Sequence, residues 1–381
     1  MADTIDPSTT TPDKPSKERM VSIDALRGFD MFWITGGEGA VKAVALLCGG
    51  WIAAVFGVQL EHAEWEGFRF YDLIFPLFVF LIGVSITFSL SRIKDTEGPA
   101  AVYKRLFKRT AIMFLVGIIY YGGARNHWPE DVRILGVLQR LALCYFFGGL
   151  AFYHLQLRGL IILCVSILIG YWAFLSFVPV PGLGATSFEE GKNWATYVDL
   201  HFLPGRLYYK DYNYDPEGIL STIPAIATCL LGVFAGLLLK AKSFTDKQKV
   251  LYFIAGGVAM VLFGYAWGLQ FPVIKKIWTS SYVMVAGGYS WIFVGVFYLV
   301  VDVWKYRKWT TPFIWIGVNP LTIYVAHNIF DFRALANRFV GGDIQAMLSE
   351  DAGRALLSLV ALGLSLLFAR FLYKNKIFIR I

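Results

Sequence analysis

The chain has 381 residues, 57% of them hydrophobic and only 16% charged, too little charge to cover the surface of a water-soluble domain of this size. Its net charge of +8 is gathered into short basic segments between apolar runs, which argues against a nucleic-acid partner and for loops on one side of a membrane. The four cysteines, Cys48, Cys144, Cys164 and Cys229, lie in apolar stretches without CxxC or metal-ligand spacing, so they are expected to be small buried hydrophobes and no metal is expected.

Residues 1–20 are polar and partly acidic with no cleavable leader, and read as a disordered cytoplasmic tail. Residues 21–381 read as one transmembrane domain, because apolar runs of about twenty residues recur and each suffices to cross roughly 30 Å of hydrocarbon. The first run, 21–35, carries Asp24, Arg27 and Asp30 and stops at the glycine-rich GGEG. A second stretch, 40–60, is interrupted by Lys42 and Gly49-Gly50; it reads as interfacial or re-entrant, with a full crossing as the alternative. Further spans are expected over 70–91, 110–124, 134–153, 158–177, 219–239, 250–269, 282–302, 312–328 and 354–372. The fold class is therefore all-α, a polytopic transmembrane helical bundle of about ten spans, eleven if 40–60 crosses. With ten, the basic patches YKRLFKR and WKYRK share a side with both termini, and the positive-inside rule makes that side cytoplasmic.

His62, the segment FPVIKKIWTSSY and a long loop over 178–218 then face outward. That loop holds Trp194, Tyr197, Tyr208, Tyr209, Tyr212 and Tyr214 beside Glu189, Glu190, Asp199, Asp211 and Asp215. Two readings stand. The rings and acids can stack and hold a sugar, a cationic amino sugar in particular, with Trp194 among the contacts; or they form an interfacial aromatic belt. The turn YDPEG at 214–218 reads as a helix start with Pro216 and Glu217 in its first positions.

The polar prelude EHAEWEGFRFYD enters an apolar span at Asp72, with Pro76 four residues on. On one unbroken helix His62 and Asp72 would stand about 15 Å apart. They meet only if the chain folds back over the start of the helix, a bend that Gly67 permits. Pro76 has no N–H for the Asp72 carbonyl, so a kink there leaves that carbonyl in need of another donor. A carboxylate on one imidazole nitrogen leaves the other as base or nucleophile; a purely structural histidine is the alternative. Asp24 and Arg27, at i and i+3, form a salt bridge or seat a phosphate. Gln139 and Arg140 lie deep in a span, where a pantetheine or phosphate contact fits. Asn319 and His327, about two helical turns apart, line one cavity or hold helices together.

These segments carry a resemblance. HAEWEGFRFYDLIFPLFVFLIGVSI is similar to the core signature of the heparan-α-glucosaminide N-acetyltransferase family of transmembrane acyltransferases, and SIDALRGFDMF resembles the opening segment of that wider group. RILGVLQRLALCYF, YDPEGILSTIPAIATCLLGVFAG, FPVIKKIWTSSYV and NPLTIYVAHNIF match in the same order, to the end of the chain. The resemblance implies a bacterial inner-membrane acetyltransferase. It would draw acetyl from cytoplasmic acetyl-CoA as cosubstrate and deliver it to an amino sugar or glycan at the outer face, with a homodimer as its assembly. It places the active-site histidine on His62 and the associated aspartate on Asp72, acting by direct transfer or through an acetyl-histidine. Within that frame the residue readings above give Asp24, Arg27, Gln139 and Arg140 to the CoA and Asn319, His327 and Trp194 to the acceptor, which Thr35 joins by its place in the glycine-rich stretch.

There are departures. Thr35 stands where the lysosomal member has an asparagine in its glycine-rich stretch, and offers no carboxamide. The 40–60 stretch is longer, and that member's large lumenal N-terminal domain has no counterpart. Some bacterial relatives are associated with N-acetylglucosamine use, so a transporter of amino sugars or chitooligosaccharides is the alternative.

Overall fold

A computed structural model describes residues 20–122, 132–208 and 214–378. The expected disorder of the N-terminal tail, and Tyr209, Asp211 and Tyr212 of the long loop, fall outside the described residues. Within them the chain is helices and loops, with two isolated antiparallel bridges, Glu66–Ile274 and Arg133–Gly205.

Helix α1 (Val21–Phe32) is broken at the start of GGEG, as expected: Thr35 at φ −91°, ψ 23° and Gly36 at φ 110° leave helical geometry, and α2 (Glu38–Cys48) follows across this kink. A second break falls at Gly49, whose φ of 65° suits a residue without Cβ. Residues 40–60 are thus not one segment: α3 (Gly50–Gln59) buries none of its residues and, at about 15 Å, reaches half-way across a bilayer. Cys48, at the end of α2, is exposed, whereas the other three cysteines are buried as expected.

A tight turn at Phe70–Leu73 opens α4 (Ile74–Glu97), followed by α5 (Pro99–Tyr120), α6 (Val137–His154) and α7 (Leu157–Phe177). The long loop contains α8 (Trp194–Phe202), and α9 (Ile219–Lys240), α10 (Asp246–Gly268) and α11 (Ser280–Phe297) come next. The expected helix over 312–328 is two helices, α12 (Thr311–Gly317) and α13 (Pro320–Ile329). Asn319 sits between them at φ −128°, ψ 47°, because the ring of Pro320 excludes a helical conformation from the residue before it. The chain closes with α14 (Phe332–Val340), α15 (Asp343–Ala346) and α16 (Glu350–Lys374).

Among the described residues, seven stretches are long and apolar enough to cross a membrane: Val21–Cys48, Phe70–Glu97, Leu157–Phe177, Ile219–Lys240, Asp246–Gly268, Ser280–Val303 and Glu350–Lys374. The most buried of these are Phe70–Glu97 and Ile219–Lys240, which makes α4 and α9 the axis of the bundle. They approach backbone to backbone. A Cβ on Gly83 would lie 1.9 Å from the Cys229 carbonyl, and one on Gly232 would lie 1.9 Å from the Phe80 carbonyl. Helices that share a membrane gain little from apolar burial, so this close packing is what holds them.

Gly83→Val is expected to destabilise the detergent-solubilised protein by about 1–3 kcal/mol, the usual cost of forcing extra carbon into a filled interface. Gly170→Ala, where an added Cβ meets nothing within 4 Å, should leave the melting temperature unchanged. Equal melting of the two variants would contradict this packing.

Candidate active site

The chain from Leu60 to Arg69 folds back over the start of α4. Gly67 makes the bend at φ 111°, and its N–H donates to the Val273 carbonyl at 2.8 Å. Together with the Glu66–Ile274 bridge, this seats the His62 segment on the loop between α10 and α11. His62 Nδ1 comes to 2.8 Å from Asp72 Oδ1. Asp72 is wholly buried and its other oxygen accepts the Ala63 and Arg69 N–H groups, each at 3.1 Å. Its carbonyl, which Pro76 cannot serve, accepts the Tyr282 hydroxyl at 2.9 Å. The Arg69 guanidinium donates to the His62 carbonyl at 2.9 Å, and the Tyr71 ring lies 4.8 Å from the imidazole. The histidine is thus held by ring, carboxylate and backbone.

The same loop contributes a residue that sequence reasoning did not single out. Lys275 Nζ stands 3.0 Å from His62 Nδ1 and 3.3 Å from Asp72 Oδ1. Nothing in the local sequence distinguishes Lys275 from its neighbour Lys276; only the docking of two distant segments does. Trp278, which closes the loop, is buried at φ 54°, a left-handed conformation that costs roughly 1–2 kcal/mol outside glycine. Its indole N–H donates to Thr228 at 3.0 Å.

His62 opens into a cavity of about 410 Å³ whose walls include Phe75, Tyr120, Tyr121, Trp278 and Tyr324. Arg133, at its edge, is clamped between the Tyr121 and Tyr208 rings at 4.7 and 4.6 Å. It pairs with Asp215 at 2.7 Å and with Glu217.

A second cavity, of about 230 Å³, is lined by Arg27, Ser85, Arg105, Arg109 and Asn319. Arg27 pairs with Asp24 at 3.3 Å, as one of the two readings expected, and donates to Ser85 at 2.9 Å. Arg109 lies over the Tyr145 ring at 4.6 Å. Ser85 stands thirteen residues along α4 from Asp72, about 20 Å. On α6, Gln139 and Arg140 are both buried. Arg140 donates to Ser221 and packs over Trp278 at 4.9 Å. Among the described residues its Nε and Nη1, both amide atoms of Gln139 and Oδ1 of Asn319 meet no hydrogen-bond partner. Asp30, also wholly buried, meets none with either oxygen.

Other expected contacts are elsewhere. Asn319 lines the arginine cavity and donates to the Ile377 carbonyl at 2.7 Å, and His327, on α13 beyond the break at Pro320, packs against Phe332. Thr35 donates back to the Phe32 carbonyl at 3.3 Å. Trp194 lies outside the His62 cavity, its indole N–H donating to Val178 at 2.9 Å. The α9 helix begins at Ile219, where the 219–239 span was expected to start; Pro216 and Glu217 precede it instead of forming its first turn, and Asp199 caps it by accepting the Ile219 N–H at 2.9 Å. A Cβ on Gly218 would lie 2.0 Å from that carboxylate, so glycine is what lets it in.

Burial pushes the Asp199 carboxyl up to about 7, with the nearby Asp215 charge adding to the effect. Between the ordinary carboxylate range and that value the folded chain holds a proton that the unfolded chain releases, so stability falls as pH rises through this window. The melting temperature is expected to be higher near pH 5.5 than near pH 8, and Asp199→Asn to remove much of that difference. An unchanged pH dependence in the variant would contradict the assignment.

With the geometry established, comparison with known proteins is direct. Residues 19–265 match the family described as heparan-alpha-glucosaminide N-acetyltransferase, catalytic. The heparan-alpha-glucosaminide N-acetyltransferase of Homo sapiens is 32% identical over 380 residues, covering 84% of this chain and 56% of the relative. That of Mus musculus is 29% identical over 378 residues with the same coverage. The chain spans about half the length of the curated relatives it matches. A bundle of membrane-length helices with this match over most of its length belongs to the heparan-α-glucosaminide N-acetyltransferase family.

Proposed function

We propose that the chain is a membrane-embedded acetyltransferase that takes acetyl from acetyl-CoA on the cytoplasmic side and gives it to the amine of an amino sugar or glycan at the outer face of a bacterial inner membrane. The observation that carries this reading is the His62–Asp72 pair at the mouth of one cavity, about 20 Å along α4 from a second cavity lined by three arginines. That separation suits a phosphopantetheine arm, with diphosphate at one end and thioester at the other.

Arg27, Arg105 and Arg109 would meet the phosphates, two of them from the basic YKRLFKR patch. The arm carries amides that need donors and acceptors in an apolar bundle, and the unmatched atoms of Gln139, Arg140 and Asn319 supply both kinds. At the outer end Asp72 holds Nδ1 of His62, so Nε2 takes the proton as the acceptor amine attacks the thioester carbonyl and the thiol leaves. In the two-step version Nε2 attacks first and carries the acetyl. The aromatic walls of Tyr120, Tyr121 and Tyr324 would stack the sugar.

For topology, the seven membrane-length stretches together with α5, α6 and the α12–α13 pair make ten passes. Both termini are then cytoplasmic, and α3 rests in the outer interface.

The test uses proteoliposomes containing the purified chain, with labelled acetyl-CoA inside and glucosamine outside. Labelled N-acetylglucosamine should appear outside, and His62→Ala should slow its formation by roughly 100- to 10,000-fold, the range a positioned base supplies. Uptake of N-acetylglucosamine with neither acetyl transfer nor thioester consumption would overturn the enzyme in favour of a transporter.

A further inference from the structure

We propose that Lys275 is a self-acetylation site: without an acceptor amine in the cavity, the His62–Asp72 pair directs the acetyl group of the thioester onto Lys275 Nζ. This rests on the acetyl-transfer reading above, and concerns a modification of the chain rather than its product.

The argument begins with placement. Lys275 is brought to the site by the same contacts that seat the His62 segment, the Gly67–Val273 hydrogen bond and the Glu66–Ile274 bridge. Its Nζ lies 3.0 Å from the imidazole and 3.3 Å from Asp72, and it lines the cavity that the acceptor amine must enter. In chemical type it is what the enzyme acetylates, a primary amine beside the base. Its side chain is only 18% exposed, and burial holds its ammonium below the usual lysine range, against the opposing pull of Asp72. The neutral, nucleophilic form is therefore more accessible than on a solvated surface lysine.

Lys276 is an internal contrast. It lines the same cavity, but its ammonium is held by Glu190 at 3.1 Å and lies over the Trp65 ring at 5.6 Å. Neither partner belongs to the catalytic pair.

The step balances as ordinary aminolysis. In the tautomer with its proton on Nε2, His62 takes one proton from the Lys275 ammonium at Nδ1, 3.0 Å away, the imidazolium so formed pairs with Asp72 through Nδ1–H, and the freed amine attacks the thioester carbonyl. The N–C bond forms, the C–S bond breaks, and the second proton leaves with the thiol. One ammonium and one thioester give one amide, one thiol and one proton. The amide has no charge, so Asp72 loses its cation, and the acetyl group fills space beside His62. Thioester consumed without acceptor would thus silence the site, and acceptor would protect it.

The full-length chain in detergent, given carbon-13-labelled acetyl-CoA with or without saturating glucosamine, would be digested and read by mass spectrometry. Label is expected on Lys275 and not above background on Lys276 or the exposed Lys247. Glucosamine, or the substitution His62→Gln, should slow labelling by roughly tenfold or more, as removal of base or competition at the site requires. Should His62→Gln fail to fold, the glucosamine competition in the native chain decides alone. Acetylated glucosamine with Lys275 unlabelled in the absence of acceptor would overturn self-acetylation and leave the enzyme standing. Label spread equally over the three lysines and indifferent to glucosamine would be spontaneous chemistry, and would overturn it too. Thioester left untouched under every condition would overturn the enzyme reading and this inference together.

Discussion

A carboxylate with no solvent exposure at the head of an apolar helix is the constraint on which the site depends. Burying such a charge is unfavourable unless every lone pair is met, and breaking one buried pair typically costs about 3–5 kcal/mol. Asp72 is met on one oxygen by His62 and Lys275 and on the other by two backbone N–H groups from the folded-back segment. Satisfying Asp72 therefore pulls the His62 segment and the 272–279 loop to the same point. Pro76 adds the Tyr282 hydroxyl by leaving the Asp72 carbonyl without its helical donor. Three parts of the chain converge on one residue because it requires them.

Helix α4 then acts as a ruler. The turn that opens it presents Asp72 to the His62 cavity. Phe78, Leu81, Ile82 and Ser85, at i, i+3, i+4 and i+7, present one face to the arginine-lined cavity. The glycine contacts with α9 hold this helix against a second rigid element, which keeps the two cavities at a set separation. For the proposed transfer between groups bound in two cavities, a set separation matters more than any one contact, since misplacement of reacting groups by about 1 Å can cost 100-fold in rate.

How much was legible in the sequence follows from the range of each interaction. The meeting of His62 and Asp72 was readable because its determinants, Gly67, Pro76 and the two side chains, lie within fifteen residues of one another. The Asp24–Arg27 pair was readable for the same reason. Lys275 was not, because it lies more than two hundred residues from His62 and carries no local mark that Lys276 lacks. The helix break at Pro320 was signalled by the proline itself and was passed over for an unbroken apolar run. The break between α1 and α2 at GGEG was readable from the glycines themselves, since Gly36 takes a φ of 110° that other residues rarely adopt. Trp194 was singled out for its ring and its loop, yet its indole N–H meets Val178, a contact that depends on how the loop folds on itself.

The most direct measurement of the central claim is a double-substitution cycle on acetyl transfer with His62→Ala, Asp72→Asn and both together, each variant first shown to melt cooperatively. If Asp72 acts through His62, its substitution should slow transfer strongly in the native chain and have almost no further effect once His62 is gone. Independent, multiplicative losses would contradict the account, because they would make the carboxylate a separate structural support and not the group that sets the histidine to its chemistry.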